Sequence, residues 1–129
     1  MPAASRIRTL REVSEVAANS GDFGYALKDF LDGFYACPEP TGLADEPPHL
    51  AALVLDGERF DAYLGAVAEH LSLEHRWPIP AWTHHRSRYL QTPWFGMQSH
   101  GGRMILLEES PAAFRLRNLF VSENALSRA

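Results

Sequence analysis

The sequence predicts a mainly α fold: a single compact domain of about five helices, crossed by a proline-rich extended aromatic segment. Three observations support this. At 129 residues, with 46% apolar and 22% charged residues, the chain has the size and balance of one globular domain. Several stretches repeat apolar residues at i, i+3, i+4 and i+7, the spacing of a helix with one buried face. Helix-capping residues stand at the borders of those stretches. One helical domain is therefore expected over residues 1–129, with 36–48 as a proline-rich connection and 76–95 as the aromatic segment.

Thr9-Leu10-Arg11-Glu12 has the form of a capping box and opens the first helix, with Leu10, Val13, Val16 and Ala17 on its apolar face. Gly21 ends it, being tolerant of positive φ. Asp22 caps a second helix whose stripe is Phe23, Leu27, Phe30, Leu31 and Phe34, read as core. Between Ala36 and Pro48 lie four prolines and the acids Glu39, Asp45 and Glu46, which predict a stiff surface crossing.

The run His49 to Leu55 is too short for periodicity to separate a helical turn from a buried strand. Asp56 or Glu58 then opens a long helix. Phe60, Tyr63, Leu64, Val67, Ala68 and Leu71 form its inner face, and Asp61, Glu69 and Glu74 are expected in solvent. The prolines of Trp77-Pro78-Ile79-Pro80 force the chain out of that helix. Thr83 to Leu90 predicts one or two helical turns, and Thr92-Pro93 another turn from which Trp94 and Phe95 dock inward. Gly101-Gly102 reads as a break. Arg103 to Glu109 reads as helix by propensity, with a short strand as the alternative. Ser110-Pro111 carries a helix-start signal, Asn118 to Val121 looks extended, and Ser122 caps a last turn with Ala125 and Leu126.

Charge is unevenly distributed along the chain. Residues 1–75 hold thirteen acids against five bases, a balance of −8, whereas residues 76–129 hold seven arginines against three glutamates, a balance of +4. Either the two halves pack and neutralise each other, or the second half exposes a basic face to a partner. The net charge of −4 and the presence of a single lysine, Lys28, disfavour nucleic acid without removing it. No run of 18 apolar residues exists, so no membrane partner is expected, and the N-terminus lacks the apolar core of a secretory signal. The lone Cys37 fits a reducing compartment, so a cytoplasmic location is expected.

No segment carries a strong catalytic motif. His84 and His85 are adjacent and point their rings apart, there is no HExxH or CxxC spacing, and a site built from His70, His84 or His100 would need a distant carboxylate. Ser110 lies outside any GxSxG elbow. Cys37, beside Pro38, has no adjacent base and reads as a spectator thiol. No catalytic residue, metal or cofactor is assigned. The composition that does stand out is that of an interface, where arginine and aromatic residues supply most binding energy. All three tryptophans lie in residues 76–95. The candidate partner-binding residues are Trp82, His84, His85, Arg86, Arg88, Trp94, Arg115 and Arg117, with Arg103, Arg128, Tyr89, Phe114 and Phe120 in the wider set.

The blocks His70-Leu71 through Trp77-Pro78-Ile79-Pro80-Ala81-Trp82, Pro93-Trp94-Phe95, and Glu109-Ser110-Pro111 through Val121 resemble a group of uncharacterised bacterial proteins. Similar blocks follow a helix-turn-helix regulator domain in some chains and sit beside genes for nucleotidyltransferase-like proteins in others, in the manner of toxin and antitoxin pairs. The resemblance spans about residues 60–126 and implies a partner-binding or regulatory role. The acidic, phenylalanine-rich second helix departs from a recognition helix, which puts direct DNA reading in doubt. The expected function is thus a small cytoplasmic protein-binding domain, antitoxin-like, occluding an acidic site on a toxin enzyme encoded nearby. A second copy of the chain is another expected partner. A DNA-binding transcriptional regulator and a metal- or histidine-dependent enzyme are the alternatives.

Overall fold

The computed structural model describes residues 7–123 and 125–126. Among these residues the chain forms α1 (Leu10–Ser20), α2 (Phe23–Ala36), α3 (Thr41–Ala44) and α4 (Gly57–His75), then two 3₁₀ turns (Ala81–His84 and Arg86–Arg88). These are followed by β1 (Trp94–Phe95), α5 (His100–Glu109), α6 (Ala112–Arg115) and β2 (Leu119–Phe120). The fold is mainly α, as the periodicity predicts.

The Thr9 hydroxyl accepts the Glu12 N–H at 3.1 Å, but the glutamate reaches back to the Arg8 N–H at 3.2 Å instead of the Thr9 N–H, so the capping box is offset by one residue. Gly21, at φ 75°, accepts the left-handed conformation that closes α1. Asp22 caps α2 through the Tyr25 N–H at 3.0 Å. The apolar faces of α1 and α2 meet each other and α4 in one core, where Phe23 stacks on Phe60 with ring centroids 4.3 Å apart and Tyr63 meets Phe114 edge-on at 5.0 Å. Burying each such ring contributes on the order of 1.5–3 kcal/mol.

The segment 49–55 is neither strand nor regular helix. Leu53 and Val54 donate to the Leu50 carbonyl at 2.9 and 3.1 Å, and only Leu50 of its leucines is buried. α4 follows at once, because Gly57 brings the helix start against residues 50 and 51, where a Cβ would overlap the Leu50 carbonyl. At its far end Arg76 takes φ 57°, and Arg76 and Trp77 donate to Leu73 and Ser72 at 3.3 and 2.9 Å. This double closure is a Schellman motif made without glycine. It directs the chain into the Pro78–Pro80 stretch.

Four local expectations are corrected. Trp94 and Phe95 form no helical turn but a parallel pair with Leu119 and Phe120. Its bonds run from Trp94 N to Asn118 O at 2.8 Å and from Gly96 N to Phe120 O at 2.9 Å. Gly101 and Gly102 do not break the chain: α5 runs through them from a Ser99 cap that accepts the Gly102 N–H at 3.0 Å. Ser110 does not cap α6. Its hydroxyl donates to the Leu106 carbonyl at 2.6 Å and accepts the Val121 N–H at 2.9 Å, tying the end of α5 to the residue after β2. Finally, Asp61 and Glu69 are not in solvent. They lie inside, at 1% and 8% exposure, beside Arg88 and Arg117.

Candidate functional site

Asp61, Gly65 and Glu69 are four residues apart on α4, so they line one face of the helix. Two arginines from the basic half of the chain lie along that face. Arg88 and Arg117 are fully buried, and a Cβ on Gly65 would come within 3.0 Å of the Arg88 Cβ and 3.1 Å of the Arg117 Nε. The glycine therefore provides the close approach that lets both side chains cross the helix.

The terminal nitrogens of each arginine are held from inside the protein, while among the described residues the buried Nε of each has no hydrogen-bond partner. The Arg117 guanidinium lies 2.8 Å from the Glu69 carboxylate, donates to the Ala113 and Thr83 carbonyls at 2.9 and 2.7 Å, and sits over the Tyr89 ring at 4.5 Å. Arg88 pairs with Asp61 at 3.7 Å and with Glu46 at 3.1 Å, donates to the Pro47 carbonyl, and sits over the Trp82 ring at 5.0 Å. The Trp82 indole N–H donates to the Leu43 carbonyl at 3.0 Å. Linker, long helix, aromatic segment and C-terminal part thus meet at one ionic layer, with arginines from the basic half neutralising carboxylates from the acidic half.

The layer sets the carboxylates differently. Burial pushes the Asp61 carboxyl above its ordinary value, against the Leu50 and Ala51 N–H groups, the Arg88 charge and His49. Glu46 also feels desolvation most, but hydrogen bonds and charge from Arg88 and His85 together outweigh it and hold its carboxyl below the ordinary value.

The solvent edge of this layer is a ridge formed by His84, His85 and Arg86, all exposed. His84 lies 3.8 Å from Glu69 and His85 3.2 Å from Glu46, so the histidines cap the carboxylates that the arginines hold from within. His49 and Ser87 share a hydrogen bond of 2.7 Å beside the ridge. The Asp61 carboxylate accepts the Leu50 and Ala51 N–H groups at 2.7 and 3.1 Å and pairs with Arg88.

Next to the ridge lies a crevice of about 560 Å³, lined by Leu43, Asp45, Glu46 and Ser72 on one side and by Pro78 to Trp82 on the other. Its walls are mostly apolar, and at its base the buried Ser72 hydroxyl has no hydrogen-bond partner. A second crevice of about 560 Å³ lies where α1 begins and α2 ends, lined among others by Arg8, Asp32, Cys37 and Glu39. Cys37 is exposed there, and its Sγ lies 3.8 Å from the Glu39 carboxylate.

The eight candidate binding residues are therefore divided. Arg88, Arg117 and Trp82 are interior, which corrects the expectation of one arginine and aromatic surface: a charge held by two or three internal acceptors is not available to a partner. Trp94 is half-buried, with the Arg59 guanidinium 4.6 Å from its ring. Arg115 is exposed but donates to the Glu108 and Ser110 carbonyls at 3.1 and 2.8 Å, closing the turn between α5 and α6. His84, His85 and Arg86 remain together on the surface. Arg128 lies outside the described residues. Among the described residues no three His, Cys, Asp or Glu side chains are grouped to hold a metal ion; His70 pairs with Glu74 at 3.6 Å and His84 with Glu69. No described helix is long and apolar enough to cross a membrane.

The sequence reading does not join Asp61, Gly65 and Glu69 into a unit. The signal is one of spacing: two acids and a glycine at four-residue intervals, beside the small apolar residues Ala62 and Ala68. An acid on an apolar face requires an internal cation, and the later arginines could supply it. No protein-family model, curated protein or solved structure matches the chain.

Proposed function

We propose that this chain is a small protein-binding domain, antitoxin-like, whose partner is an enzyme encoded nearby. The observation that carries the reading is the apolar crevice walled by Pro78 to Trp82 beside the exposed His84–His85–Arg86 ridge. An apolar recess able to take one or two side chains, with a polar rim, has the anatomy of a binding hot spot. The buried ionic layer holds both walls in place, so the recess is formed before a partner arrives and little ordering is required on binding. His84, His85 and Arg86 favour an acidic surface on that partner. The antitoxin-like form of the proposal comes from the resemblance of the segment at about residues 60–126.

Phosphate binding is the weaker reading, because two of the arginines that would make it are consumed internally. The test is co-expression with the product of the adjacent gene. The chain should co-purify with it and relieve its toxicity, and Ala81→Arg, which obstructs the crevice from an exposed position, should lose both effects while keeping the wild-type circular dichroism. Recovery of free chain only, with no relief of toxicity, would overturn the proposal.

A further inference from the structure

We infer that the crevice walled by Pro78 to Trp82 takes an arginine side chain of the protein partner, a claim that rests on the proposed function and names the group that enters. Among the described residues only two charged side chains line this crevice, Asp45 and Glu46, and both are acids. Arg88 and His85 meet Glu46 through one oxygen, Oε2, at 3.1 and 3.2 Å, which leaves Oε1 outside both contacts. Asp45 is exposed and, among the described residues, has no hydrogen-bond or ion-pair partner. The opposite wall does not match these acceptors with donors: Pro78 and Pro80 lack an N–H, and the Trp82 indole N–H is committed to the Leu43 carbonyl at 3.0 Å.

A further open valence lies at the base. The Ser72 carbonyl accepts the Trp77 N–H at 2.9 Å, but the hydroxyl of this residue, which is 1% exposed, has no hydrogen-bond partner among the described residues. A buried polar group left in that state costs stability, and a donor brought in from outside relieves it. The crevice thus combines apolar walls, one unmatched negative charge and an unfilled hydroxyl. An apolar side chain answers only the first of these. Arginine answers all three: its aliphatic stem packs on the Leu43, Pro78 and Pro80 side chains, and its planar guanidinium carries donors on separate edges. That head is also less strongly hydrated than an ammonium, so it enters an apolar recess at less cost than lysine. The charge complementarity is local, because His84 and Arg86 of the ridge are not among the lining residues. The partner surface is therefore one arginine set among acids, the arginine for the crevice and the acids for the ridge.

The experiment titrates the full chain with n-butylguanidinium chloride at constant ionic strength and follows the Trp82 indole N–H by proton–nitrogen NMR. The shift should saturate with a Kd of about 1–10 mM, the range open to so small a ligand. n-Pentanol and sodium pentanoate, which keep an aliphatic stem but carry no cation, should bind at least about fivefold more weakly. Asp45→Asn, at an exposed position, should weaken the guanidinium at least about threefold. Ser72→Ala should weaken it to a similar degree without lowering Tm, because the hydroxyl it removes is unpartnered in the free chain. Circular dichroism checks the fold of each variant. Absence of a saturable shift overturns the inference, as does pentanol binding as tightly as the guanidinium, or wild-type affinity in either variant. The titration needs no partner, so the two claims fail separately. Co-purification of the neighbouring gene product without guanidinium binding removes only the arginine; guanidinium binding without co-purification removes only the proposed partner.

Discussion

Removing the Arg117 side chain should be among the most damaging single changes in this protein, and removing Glu69 along with it should be less damaging than the two losses added together. Arg117 is fully buried, 2.8 Å from Glu69, and donates to the Ala113 and Thr83 carbonyls. Arg117→Met keeps most of the volume but leaves a carboxylate at 8% exposure without its cation and two carbonyls without a donor. Breaking one side of a buried ion pair costs about 3–5 kcal/mol, mostly as the penalty on the charge left behind. The double variant Arg117→Met, Glu69→Leu removes that stranded charge, and only the two carbonyls, at about 1–3 kcal/mol each at most, remain unsatisfied. A coupling energy of at least about 2 kcal/mol should therefore appear in the double-mutant cycle. Urea unfolding followed by circular dichroism at neutral pH measures it. For a denaturant slope of about 1–3 kcal/mol per molar, the single variant should lower the midpoint by about 2 M and the double variant should recover part of that loss. If Arg117→Met costs less than about 1 kcal/mol, or if the two losses simply add, the ionic layer is not the buried coupled unit described here.

Four further substitutions test the same layer and, in α5, a contrast to it. Gly65→Ala should destabilise by about 1–2 kcal/mol despite the better helix propensity of alanine, because its Cβ would press on the Arg88 Cβ, which the backbone fixes. Gly101→Ala in α5, with nothing within 4 Å, should instead gain about 0.5–1 kcal/mol, and thermal melts of the pair separate packing from propensity. Glu46 has its folded-state pKa lowered, so it contributes stability above the ordinary glutamate value that is lost as pH falls through the lower folded value. Unfolding titrations from neutral to acid pH should show a smaller acid loss in Glu46→Gln than in the wild type; an identical decline would refute the assignment. Asp61, raised by burial, acts with the opposite sign: between its unfolded and folded values the native state binds the proton more tightly, so this group's contribution falls as pH rises. Asp61→Asn should accordingly remove a stability component that declines with increasing pH across that window, read as a change of slope in the same titration.

How much was legible in the sequence differs between the helices and the site. Thr9, Asp22 and Gly21 located the ends of α1 and α2 because a cap acts on N–H and C=O groups within four residues, and the phenylalanine stripe of α2 identified its buried face by spacing alone. The opposite charge of the two halves was also visible, as was the possibility that they neutralise each other. The sequence could not show which acids go inside. Asp61 and Glu69 share a face away from Glu74, but no local feature names the arginines that cover it. The two lie under arginines 27 and 48 positions later, a pairing made only when Pro78 to Pro80 turn the chain back across Gly65. The same long-range closure made Trp94 and Phe95 a strand, since a two-residue parallel pair exists only through its partner, Leu119 and Phe120. The sequence by itself thus determined the local elements, whose energies are set by neighbours a few residues away. The tertiary structure alone decided which arginines are buried and which residues remain exposed, because burying a charge is settled by what stands opposite it and not by the charge itself.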